Sequence, residues 1–155
     1  MLSPDEKIKI EEEIRKFPRK SAACIEALKI VQEQRSWVSD ESLRDVAEML
    51  EMTPSEVDSV ATFYNLIFRR PVGKHVILFC DSISCWVMGY EKILTFLKEE
   101  LRIDFGETTS DKRFTLLPIA CLGNCDHAPT LMIDNHLYHD VTPEKMKEIL
   151  KEFEI

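Results

Sequence analysis

Two pairs of cysteines fall in the second half of this chain, Cys80 with Cys85 and Cys121 with Cys125. The first pair has four residues between its members and the second has three. Each pair follows a short apolar stretch. His75-Val76-Ile77-Leu78-Phe79 runs into Cys80, and Phe114 to Ile119 runs towards Cys121. Nearly continuous apolar runs of this length read as buried strands. If the two strands are neighbours, four thiols converge beyond their carboxyl ends, the edge at which open α/β sheets place their sites. This requirement limits the fold more than any other feature, because two distant segments must meet at one point.

Four thiolates around a compact point suit either a zinc ion or an iron–sulfur cluster. Zinc pairs more often have two intervening residues, whereas a four-residue gap is the one plant-type [2Fe–2S] proteins use. A two-iron core is also longer than a single ion, so wider loops fit it better. Zinc and four unrelated buried thiols stay open on spacing alone. A thioredoxin-type redox pair is disfavoured, since the sequence has no Cys-x-x-Cys. Ile83, Trp86, Val87, Met88, Leu122, Ala128 and Pro129 flank the cysteines and are expected to form an apolar collar that excludes water. Gly123 permits a tight turn that brings backbone N–H groups towards sulfur. His127 stands close to Cys125, but four cysteines already fill a site, so it reads as an exposed loop residue. His75, His136 and His139 read as surface or strand residues, and Cys24 as a core thiol.

The first 70 residues have a different texture, wholly helical. Ser3-Pro4-Asp5-Glu6 is a capping box with proline at the first helical position, followed by Ile10, Ile14 and Phe17 on one face. Pro18 closes that helix. A second is expected over about Ser21 to Arg35. Ser39 caps a third, with Leu43, Val46, Ala47 and Leu50 at helical spacing. Thr53-Pro54-Ser55-Glu56 opens a fourth, with Val57, Val60, Ala61 and Tyr64 along one side. Trp37, Phe63 and Phe68 read as core residues. Arg69-Arg70-Pro71-Val72-Gly73 breaks the pattern and sets a boundary between domains at 1–70 and 71–155. Beyond it a loop is expected to Gly89, a helix over about Tyr90 to Leu101, and a hairpin turning at Asp134-Asn135. A last helix is capped by Thr142-Pro143. The order β-α-β-β-β-α makes the whole chain α+β, an open sheet with helices packed on it after a helical domain.

Charge excludes some functions. Among 155 residues, 28 are acidic and 20 basic, a formal net charge of −8. That sign repels phosphate backbones, so neither nucleic acid nor an anionic membrane surface is an expected partner. The third and fourth helices superficially resemble a helix-turn-helix reader, but residues 39–68 hold seven acids against Arg44 alone. No G-x-G-x-x-G or Walker loop occurs, so the chain is not expected to bind NADH or FMN alone. Acidic residues at the start and the lack of a long apolar run argue against export and membrane insertion. In a reducing compartment, cysteines are better read as metal ligands or free thiols than as disulfides.

One resemblance is detailed. Asp111-Lys112-Arg113-Phe114-Thr115, then Cys121-Leu122-Gly123-Asn124-Cys125-Asp126-His127-Ala128-Pro129, resembles the signature of the E subunit of NADH:quinone oxidoreductase, respiratory complex I. Cys80-Asp81-Ser82-Ile83-Ser84-Cys85 is similar to the first ligand pair of that family. Val60-Ala61-Thr62-Phe63-Tyr64 and Pro71-Val72-Gly73-Lys74 resemble its helix-to-sheet junction. The resemblance implies an N-terminal helical domain and a thioredoxin-like ferredoxin domain. It implies one [2Fe–2S] cluster on Cys80, Cys85, Cys121 and Cys125, and an electron-transfer role with no complete active site on this chain. The implied partners are the FMN-binding subunit that oxidises NADH and the larger peripheral arm of complex I, on the cytoplasmic side of the inner membrane. Equivalent subunits of NAD-linked hydrogenases and formate dehydrogenases share the motif. A structural zinc-binding adaptor is the alternative from another class.

Overall fold

A computed structural model describes residues 1–153. Two compact units divide the chain, Met1–Pro71 and Val72–Ile155.

The first unit contains α1 (Pro4–Ile14), a 3₁₀ turn (Lys20–Ala23), α2 (Cys24–Arg35), α3 (Asp40–Leu50) and α4 (Pro54–Phe63). Both capping boxes form. The Ser3 and Thr53 hydroxyls accept from the N–H groups of Glu6 and Glu56, whose carboxylates accept from the cap N–H groups in return. Ser39 caps α3 in the simpler way, accepting from the Ser42 N–H. Ile10, Leu28, Val31, Val46, Leu50, Val57 and Ala61 meet in one core. Arg35 joins three segments: its guanidinium donates to both Glu6 oxygens at 2.6 Å, to the Ser42 hydroxyl at 3.0 Å and to the Met1 carbonyl at 3.0 Å. The Gln32 amide receives the segment after α4, donating to the Leu66 carbonyl and accepting from the Phe68 N–H.

Four expectations for this unit need correction. The α1 helix stops at Ile14, and Phe17 is exposed beyond it, because the residue before a proline is driven out of the helical region. The second helix is a 3₁₀ turn before it becomes α at Cys24. Tyr64 is not on the buried face of α4 but ends it in extended backbone. Phe63 is not a core residue, being 79% exposed, while Trp37 and Phe68 are half-buried.

In the second unit, β1 (His75–Cys80) lies between β2 (Phe114–Ile119) and β3 (Leu131–Ile133), with β4 (His136–Tyr138) outside β3. β1 and β2 are parallel, with Cys80 opposite Ile119; β3 and β4 are antiparallel to their neighbours. Flanked on both sides, β1 is buried from Val76 to Cys80, which is why its sequence does not alternate. The segment expected to be a loop up to Gly89 contains a short helix, α5 (Ile83–Val87). At five residues it is too brief to show a helical repeat in sequence. The helix α6 (Tyr90–Leu101) buries Tyr90, Ile93 and Leu97, and α7 (Pro143–Glu152) buries Met146, Ile149 and Leu150. Asp134 closes the hairpin in left-handed backbone. Among the described residues, no helix is long and apolar enough to cross a membrane.

Candidate metal centre

Cys80 is the last residue of β1 and Cys85 lies in α5, both buried. Cys121 lies two residues past the end of β2, and Cys125 opens a 3₁₀ turn (Cys125–His127); both are exposed. The parallel pairing of β1 with β2 delivers the two segments to the same sheet end. The Cys121 and Cys125 sulfurs are 3.9 Å apart, and the ionisation of Cys80 is linked to that of Cys85 and of Cys121. Cys125 also feels the charge of Cys85. The four residues expected to form a site lie on the segments that leave this end of the sheet. Cys24 does not: it is buried in the first unit, where burial pushes its thiol up to about 11.

The backbone points its N–H groups at the sulfurs. Gly123, at φ +75°, donates to Cys121 Sγ at 3.3 Å, and the Leu122 N–H is directed at Cys80. The Gly123 amide is the main reason the Cys121 thiol ionises below its ordinary value. Burial dominates at Cys80 and raises it. Hydroxyl groups contribute as well: Ser82 favours the thiolate of Cys121 and Ser84 that of Cys125, and Thr130 Oγ1 lies 3.8 Å from Cys85 Sγ. Sequence reasoning missed these three hydroxyls. The alternation Ser82-Ile83-Ser84 between the first two cysteines is the signal that was present.

The collar is only half as expected. Ala128 and Pro129 are buried and Leu122 is half-buried, but Ile83, Trp86, Val87 and Met88 are between 55% and 70% exposed. α5 holds Cys85 inwards, and a single helical turn cannot bury its remaining faces as well.

The donor set can be tested against the two metals. A zinc ion about 2.3 Å from each sulfur needs all four within roughly 3.8 Å of one another. Cys121 and Cys125 satisfy this as a pair, yet no three of the four sulfurs lie within 4.8 Å of one another. Sulfurs spread beyond the shell of one ion suit a two-metal core, with two sulfurs on each metal. Buried and amide-solvated thiols also fit a group whose iron-bound sulfurs carry negative charge.

Residues 10–154 match the thioredoxin-like [2Fe–2S] ferredoxin family. The chain belongs to that family. It is 49% identical over 152 residues to the E subunit of NADH-quinone oxidoreductase from Escherichia coli strain K12, covering 98% of this chain and 92% of the relative. It is 52% identical over 132 residues to the protein of the same name from Buchnera aphidicola of Acyrthosiphon pisum, covering 85% and 82%. Among solved structures, it resembles an NAD⁺-reducing [NiFe]-hydrogenase in the air-oxidised state, with a TM-score of 0.70 and 22% identity. That likeness covers 81% of this chain but 22% of the hydrogenase chain, and it shows a shared fold.

Proposed function

We propose that this chain is an electron-transfer subunit of an NADH:quinone oxidoreductase, with one [2Fe–2S] cluster held by Cys80, Cys85, Cys121 and Cys125. The observation that carries the reading is the sulfur quartet at the end of β1 and β2, too wide for one ion, in a chain 49% identical to a subunit of that enzyme. When bound, a [2Fe–2S] group supplies one-electron storage and release at the sheet edge. The protein positions four thiolates, aims the Leu122 and Gly123 amides at them, and covers the inner pair from water.

The finer reading concerns what lies outside. FMN and NADH are assigned to a neighbouring flavoprotein subunit, within a peripheral arm on the cytoplasmic side of the inner membrane. Exposed Ile83, Trp86, Val87 and Met88 beside exposed Cys121 and Cys125 support a docking face there, since clustered apolar surface at a rim marks an interface. Sequence identity favours a quinone oxidoreductase over a hydrogenase as the parent enzyme.

Anaerobically purified protein is expected to contain about two irons and two acid-labile sulfides per chain. Its visible absorption should bleach with dithionite, and with NADH only after the flavoprotein subunit is added. One zinc without sulfide would overturn the cluster, and bleaching of the isolated chain by NADH would overturn the division of labour.

A further inference from the structure

A second group of metal-ligating side chains lies beside the cysteine centre. His127 ends the 3₁₀ turn that Cys125 begins, and His139 and Asp140 lie between β4 and α7. Donor atoms of the three all fall within 4.8 Å of one another. Asp140 Oδ2 is 3.2 Å from His127 Nδ1 and 2.8 Å from His139 Nδ1, and the two imidazole rings are 5.2 Å apart.

The backbone fixes this arrangement. Asp140 N–H donates to the His127 carbonyl at 2.9 Å, and Val141 N–H donates to the Pro129 carbonyl at 3.0 Å, tying the two segments together. Lys145 Nζ donates to the His139 carbonyl at 2.6 Å, and the Lys145 N–H caps onto Thr142. Asp140 has φ +48°, a left-handed conformation that costs a non-glycine residue energy and that aspartate tolerates better than most. All three side chains are exposed, so an ion can reach them and keep water in its remaining positions.

We infer that His127, His139 and Asp140 form a binding site for a borderline divalent cation of the zinc type, separate from the four cysteines. Two imidazoles and one carboxylate are the donors that zinc and its neighbours prefer, whereas calcium and magnesium need mostly oxygen. Three protein ligands with open positions make a site that exchanges its ion. An ion there cross-links the turn carrying Cys125 to the β4–α7 connection, and thereby steadies the outer half of the cysteine centre.

The test uses the full chain loaded with its iron, titrated with zinc chloride while the visible spectrum is recorded. The expected result is uptake of about one zinc per chain with the spectrum retained. Affinity should fall at least roughly tenfold in His139→Ala and in Asp140→Asn, neither of which alters a cysteine. His127→Gln should give the same loss, while His136→Ala, a neighbouring histidine outside the group, should leave zinc uptake unchanged. Uptake that bleaches the spectrum in step would mean zinc is replacing iron at the cysteines, and would overturn the site. So would undiminished zinc affinity in His139→Ala or Asp140→Asn.

Discussion

Cys80, Cys85, Cys121 and Cys125 are chemically alike but differently placed, two buried and two exposed. Serine at any of the four replaces a soft, ionisable donor with a hard one and should lose or distort the iron–sulfur spectrum. Serine at Cys24 should leave the spectrum intact, because that thiol is buried in the other unit. Equal loss at Cys24 would contradict the assignment. The hydroxyls of Ser82 and Ser84 lead to a subtler expectation. A donor aimed at sulfur stabilises the more negative, reduced state. Alanine at either position should therefore lower the midpoint potential, on the order of tens of millivolts, with the iron content unchanged. Voltammetry on the loaded chain would decide it, and an unchanged or raised potential would refute the role of the hydroxyls. These serines lie inside the first cysteine pair, yet their direction depends on α5, which leaves no periodic trace in five residues.

Between elements, two contacts can be tested directly. Gly73 leads into β1, and its N–H donates to the Thr115 hydroxyl at 2.6 Å. A Cβ there would sit 2.9 Å from the Arg113 carbonyl oxygen and 3.0 Å from that of Lys112, both backbone atoms that cannot step aside. Gly73→Ala should cost about 1–3 kcal/mol in urea unfolding and act on the β1–β2 pairing that brings the cysteines together. In the other unit, burial alone would raise the Glu6 carboxyl, but the Arg35 guanidinium and the Ser3 N–H outweigh it and hold Glu6 below its ordinary 4.5. The stabilisation is therefore complete above pH 4.5 and is lost as pH falls through the depressed value. Glu6→Gln should flatten the acid limb of the stability curve. Arg35→Ala should cost about 3 kcal/mol at neutral pH by leaving Glu6 buried without its partner. The capping boxes and, α5 apart, the order of strands and helices were legible, since each rests on local pattern. Phe63, Tyr64 and the apolar residues of α5 were misread for one reason. Hydrophobic character in a sequence does not reveal whether the surface it covers belongs to this chain.

At the scale of the molecule, the four cysteines proposed as ligands all belong to the second unit, while the first unit has its own core and exposes Phe63, Tyr64 and Leu66. A chain shortened to residues 72–155 is expected to keep the iron–sulfur spectrum and to bind the proposed flavoprotein partner far more weakly. Standard interfaces bury about 800 Å² per partner, and the helical unit would supply much of that. Undiminished affinity in a pull-down would reduce the helices to a cover. The uneven burial of the cysteines also bears on timing. At the proposed site Cys121 and Cys125 form the exposed side, the one open to incoming iron and sulfide, and Ile83, Trp86, Val87 and Met88 are exposed as well. If that side is also where the neighbouring subunit docks, maturation and assembly compete for one surface. The chain must then be charged before it is built in, and an uncharged copy incorporated early would be sealed in its inactive form.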